Sequence, residues 1–171
     1  MALSNSRPAF YAEDALNEND YKNISSTLAR GALVSEVSDV KWDITTPFMI
    51  RINSGGKNVN FLLDGDLWNA FDEGGIIVPK GKHRLKFDTL KCEPLQYHLK
   101  TISGELTSAN FSNDQFNFTY IENINYCYAI IDKQPVKIEI DGKISEVETL
   151  KNGNEYSLKL PKGKHKVAVI F

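Results

Sequence analysis

The segment Val78-Pro79-Lys80-Gly81-Lys82-His83-Arg84-Leu85 returns almost unchanged as Leu160-Pro161-Lys162-Gly163-Lys164-His165-Lys166-Val167. A chain that carries one unit twice has to satisfy the same packing pattern twice, which narrows the folds open to it more than its composition does. The match runs upstream. Val59-Asn60-Phe61-Leu62-Leu63-Asp64-Gly65 aligns with Val136-Lys137-Ile138-Glu139-Ile140-Asp141-Gly142, and residues 48–53 face residues 125–130 before it.

Apolar residues recur at every second position in these segments: Val59/Phe61/Leu63, Val136/Ile138/Ile140, Leu85/Phe87 and Val167/Val169/Phe171. Period two is the signature of strands with one face buried. Asp-Gly supplies the positive φ that a tight hairpin needs, and Pro-Lys-Gly-Lys is a turn signal. Each copy therefore reads as strand, hairpin, strand, turn, variable link, strand, tight turn, strand, and around the second copy further short strands at 105–111, 115–121 and 147–150 bring the count between Ser103 and Phe171 to about seven. About seven strands in such a length is the count of an immunoglobulin-like sandwich. The predicted fold class is all-β, with tandem immunoglobulin-like β-sandwich units over residues 41–103 and 104–171. One larger fused sandwich is the alternative. Residues 1–40 form a separate segment holding one short helix, because Tyr21, Ile24 and Leu28 fall on one helical face between the cap at Asn19 or Asp20 and Gly31.

The repeated Asp-Gly turn and Pro-Lys-Gly-Lys-His hairpin resemble those of the immunoglobulin-like and PEGA-like accessory β-domains of bacterial surface and polysaccharide-acting proteins. The resemblance covers residues 48–171 and rests on turn chemistry, so it specifies a scaffold. It implies an appended domain that binds a glycan, spaces other domains or supports a neighbouring catalytic domain of a longer chain. It carries over no functional residue.

Lys+Arg 20 against Asp+Glu 22 gives a formal charge of -2, without the basic footprint of a nucleic-acid binder. No run of about 18 apolar residues occurs, so no membrane insertion is predicted. The first ten residues lack the apolar core of a secretory signal; the expected setting is extracellular or cell-surface, as part of a longer secreted protein whose leader lies elsewhere. Cys92 and Cys127 are the two cysteines. A bridge between them would add roughly 3–4 kcal/mol on the chain-entropy model; a buried free thiol at Cys127 is the other reading.

No nucleophile elbow, phosphate-binding glycine loop or catalytic-cysteine signature is present, so no catalytic residue, cofactor or metal site is assigned. Asp64, Asp66 and Asp72 are the oxygen-rich group a calcium ion would want, but the EF-hand spacing is absent. His83 and His165 recur after the same turn, which suits a structural role; Lys80, Lys82, Arg84 and Lys86, echoed by Lys162, Lys164 and Lys166, have the opposite parity and should face solvent. Trp68 is the candidate for ligand binding. A sugar ring stacks its C–H face on an indole while carboxylates and amides read its hydroxyls, and Trp68 has Asp64, Asp66, Asn69 and Asp72 for company. Its counterpart in the other copy is Ser145, so it does not belong to the shared scaffold; packing in the first core or between the two units is the competing explanation. The functional expectation is a non-catalytic module that binds polysaccharide or supports a polysaccharide-active protein, with a structural spacer or protein-interaction domain as the alternative.

Overall fold

The structure, a computed structural model, describes residues 2–4 (backbone only), 32–38, 40–53, 60–88, 97–112 and 115–171. Among them there is strand and no helix; the segment expected to hold the helix lies outside the described residues. Nine strands lie among the described residues of the first part of the chain: β1 (Ala2–Ser4), β2 (Leu33–Ser38), β3 (Lys41–Thr46), β4 (Ile50–Ile52), β5 (Asn60–Leu63), β6 (Asp66–Trp68), β7 (Phe71–Asp72), β8 (Gly75–Val78) and β9 (Gly81–Asp88). Nine more follow: β10 (Leu99–Ile102), β11 (Glu105–Ser112), β12 (Gln115–Glu122), β13 (Cys127–Ile131), β14 (Lys137–Ile140), β15 (Lys143–Ile144), β16 (Glu148–Asn152), β17 (Glu155–Leu160) and β18 (Gly163–Ile170).

These strands form four small sheets, ordered β1-β4-β8-β7, β2-β3-β9-β5-β6, β10-β13-β17-β16 and β11-β12-β18-β14-β15. All pairings are antiparallel. Adding nine to every strand number of the first pair of sheets yields the second pair, so the duplication holds for the whole topology. Four separate sheets give the chain the sheet count of a four-bladed, propeller-like arrangement, and the strand order differs from the ABED and CFG sheets of an immunoglobulin domain. The connectivity is distinctive: hairpins β2-β3, β5-β6 and β7-β8 stay within a sheet, while the other connections of the unit pass to its partner sheet.

Hydrogen bonding joins strands across the expected boundaries. β1 pairs with β4 and β2 with β3, so both belong to the first unit and not to a separate segment 1–40. β10 pairs with β13, which puts it in the second unit although it lies before residue 104. The second unit begins ahead of Leu99.

Register carries the period-two pattern into the core. Phe61 lies opposite Phe87 and Leu63 opposite Leu85; in the second unit Ile138 lies opposite Val169 and Ile140 opposite Val167. Phe116, Phe118 and Tyr120 are buried on one face of β12, where Gln115, Asn117 and Thr119 occupy the other by alternation. Val136 departs from the expected inward position: it precedes β14 and is exposed, although its amide still donates to the Ile170 carbonyl at 2.8 Å. Every residue of β8 is buried, Ile77 included. The face opposite Ile76 and Val78 is therefore covered as well.

Candidate functional site

The repeated motif closes a clamp between two turns. Asp64 and Gly65 have φ of 58° and 104°, the left-handed pair that a two-residue hairpin requires. That turn aims the Asp64 carboxylate at the start of β9, where Oδ1 accepts from the Arg84 amide at 2.7 Å and Oδ2 lies 2.8 Å from His83 Nδ1. His83 Nε2 reaches the Lys80 carbonyl at 3.2 Å. In the second unit Asp141 accepts from the Lys166 amide at 2.9 Å, His165 Nδ1 lies 2.7 Å from Asp141 Oδ2, and His165 Nε2 lies 2.9 Å from the Lys162 carbonyl.

A carboxylate and a carbonyl only accept, so His165, which reaches both, donates from both nitrogens and carries a charge. Accordingly the Asp141 carboxylate, and then the Lys162 carbonyl, raise the His165 pKa above the ordinary imidazole value, and the His165 hydrogen bond lowers that of Asp141. Glycine ahead of the histidine is needed for room. A Cβ on Gly81 would sit 3.0 Å from His83 Nε2, and one on Gly163 2.9 Å from His165 Nε2. The motif thus fastens the β5-β6 turn to the β8-β9 turn, and the β14-β15 turn to the β17-β18 turn.

The five residues expected to form one ligand site fall in different places. Trp68 is 5% exposed, and its Nε1 donates to the Ile77 carbonyl at 2.8 Å. It is no stacking platform: the Asp64-Gly65 hairpin sets Trp68 opposite Phe61, whose side chain points into the core. Asn69 is buried, its Nδ2 donating to the Tyr97 carbonyl at 2.9 Å while its own carbonyl accepts from the Leu99 amide at 2.9 Å. Asp64 belongs to the clamp. Asp66 is exposed on β6. Asp72 accepts from Arg51 Nη1 and from the amides of Gly74 and Gly75 at 2.8 and 3.1 Å. Among the described residues no group of three or more His, Cys, Asp or Glu side chains is arranged to hold a metal.

Asn69 and Asp72 lie instead in a junction between the units. Arg51 pairs with Asp72 and donates from Nη2 to the Lys100 carbonyl at 2.5 Å. Lys100 Nζ meets Glu155 at 2.8 Å, and that carboxylate raises the lysine pKa. Phe71 packs on the ring of His98, centroids 4.3 Å apart, and His98 Nδ1 lies 2.6 Å from Asp132 Oδ2. Lys80 meets Glu105 at 3.1 Å, and the Leu106 amide donates to Met49 Sδ at 3.3 Å. A cavity of about 310 Å³ lies along this seam, lined by Pro47, Phe48, Met49, Ser103 and Gly104 among others. Sequence reasoning missed the junction. Its signal is weak: Arg51 is copy-specific, its counterpart in the second unit being Tyr128.

Cys127 is a buried free thiol whose pKa burial raises; Cys92 lies outside the described residues. The outward face of the sheet containing β11, β12 and β18 bears a shallow polar concavity of about 450 Å³ lined by Ser108, Asn110, Gln115, Asn117, Thr119 and Lys166. No family model, curated protein or solved structure matches the chain.

Proposed function

We propose that the chain is a non-catalytic structural β-module, in which the two units act together as one stiff spacer or interaction domain. This keeps the accessory-domain class suggested by the Asp-Gly and Pro-Lys-Gly-Lys-His turns. It drops Trp68 as a ligand platform. The observation that carries the reading is the junction: Arg51 bridges Asp72 of its own unit and the Lys100 carbonyl of the other, next to the Asn69 contacts with Tyr97 and Leu99. A charge-assisted hydrogen bond in such a half-buried seam has a defined geometry and resists sliding. Between two units free to move, it would have no use.

Spin labels on the exposed positions Lys82 and Lys164, one in each unit, test this. A stiff module gives a single narrow distance distribution; a broad distribution means that the units move independently and removes the spacer reading. The polar concavity beside Asn110 and Asn117 favours a second reading, a glycan-binding module of an extracellular polysaccharide-active protein, since amides and hydroxyls on a sheet face match sugar hydroxyls. A glycan array probed with the intact chain and with Asn117→Ala decides it: binding lost in the variant supports a glycan site there, and an array with no binding removes it.

A further inference from the structure

The junction uses opposite faces of the two units. The first unit presents what we term its tail face: Met49, Arg51, β6 with Leu67, and Asp72. The second presents its head face: β10 and the start of β11, with Glu105 and Leu106. β6 packs beside β11 and β7 beside β10. Because the units share one topology, the second unit also has a tail face and the first a head face, and neither is covered by the junction.

Strand register identifies the counterparts. Ile50 pairs with Val78 as Cys127 pairs with Leu160, which makes Tyr126 the counterpart of Met49 and Tyr128 that of Arg51. Leu62 pairs with Leu67 as Glu139 pairs with Ile144, so Ile144 matches Leu67. Asp72 pairs with Gly75 and Leu150 with Ser157, so Leu150 matches Asp72. At the other end Leu33 pairs with Thr45 as Glu105 pairs with Ile121, so Leu33 and Val34 match Glu105 and Leu106.

Of the eleven large apolar side chains exposed among the described residues, six lie at these counterpart positions, while Val37, Val40, Leu67, Ile124 and Val136 lie outside them. Leu106 is fully buried inside the chain while its counterpart Val34 is 42% exposed. Tyr126, Ile144 and Leu150 are 56%, 72% and 60% exposed, with Tyr128 and Leu33 also out. Where the internal junction has Arg51 against Asp72, the free tail has Tyr128 and Leu150; where it has Glu105, the free head has Leu33. Isolated apolar residues on a surface need no explanation. Their placement on both ends of one interface, with the polar members of the internal copy replaced, does.

We propose that the chain associates with further copies of itself head to tail, the tail face around Tyr126, Ile144 and Leu150 docking on the head face around Leu33 and Val34 of the next copy and repeating the internal junction. Such a contact is heterologous, so it extends into open filaments unless the rotation closes a ring. The proposal deepens the structural reading and rests on the junction described above. In this register Lys162, the counterpart of Lys80, faces Leu33 as Lys80 faces Glu105.

Sedimentation velocity of the intact chain over a concentration series up to about 1 mM, the weak end of specific association, is the test. The intact chain should grow in mass with concentration. Leu33→Lys, which sets a lysine against Lys162, and the tail variant Tyr126→Asp/Leu150→Asp should each stay monomeric. Mixed one to one they should give a dimer and nothing larger, because each retains one working face. Leu33→Glu should keep associating and become salt-sensitive. All altered positions are exposed, and a circular-dichroism spectrum and unfolding midpoint matching the intact chain establish that each variant is folded; Ile144→Lys replaces the tail variant if it is not. An intact chain monomeric throughout overturns the proposal, as does a tail variant that associates as well as the parent. The stiffness of the single chain, read by spin labels at monomeric dilution, is unaffected by that outcome, so the two readings fail separately.

Discussion

Asp141 and His165 are 24 residues apart in the chain, yet Asp141 Oδ2 lies 2.7 Å from His165 Nδ1, with the aspartate backbone held at φ 53° to bring it there. The pair gives the clamp a pH window. The raised His165 pKa means that its contribution is complete below the ordinary imidazole value of 6.5 and is lost as pH rises through the folded value; the lowered Asp141 pKa means that its contribution is present above 3.8 and lost as pH falls through the folded value. The pair should therefore stabilise most between these two ordinary values. Because Asp141 is half exposed, the effect should stay under about 1 kcal/mol. Urea unfolding of the intact chain and of His165→Ala at about pH 5 and about pH 9 reads it: the gap between them should shrink at the higher pH, and an equal gap would mean that the histidine is not held charged.

Gly163 is required by space as well as by its φ of 122°. Gly163→Ala should cost roughly 1–3 kcal/mol, from strain and from the displacement of His165. Gly142→Ala, where φ is 76° and nothing lies within 4 Å of the new Cβ, should cost about 1 kcal/mol from strain alone. Repeating Gly163→Ala in the His165→Ala background checks the share of the histidine: a smaller loss there assigns the difference to His165, and an equal loss assigns it to the backbone.

Trp68→Ala should cost roughly 3–5 kcal/mol, through the cavity it opens and the orphaned Ile77 carbonyl. A loss of about 0.5 kcal/mol or less, the size expected at an exposed site, would contradict its place in the core.

The duplicated hairpins were legible because turn residues and period two are local signals, and the partners Phe61 with Phe87 and Ile138 with Val169 follow from them. The burial of Trp68 follows from the two-residue Asp64-Gly65 turn as well: Leu63 opposite Asp66 sets Phe61 opposite Trp68. β1 was not. Three residues carry little pattern, and their partner Ile50–Ile52 lies far along the chain. The junction was hidden for a different reason. It is made where the copies differ, at Arg51 against Tyr128 and Asp72 against Leu150, so the repeat that reveals the units says nothing about the contact between them.

Thermal unfolding of the intact chain and of Arg51→Ala, followed by calorimetry, tests most directly whether two equivalent units are joined into one module by that contact. Removing Arg51 leaves the Asp72 carboxylate and the Lys100 carbonyl in a half-buried seam, a loss of about 2–4 kcal/mol when discounted from a fully buried pair. One cooperative transition in the intact chain, separating into two in Arg51→Ala, is the predicted result. Two transitions already in the intact chain, or an unchanged single transition in the variant, would contradict it.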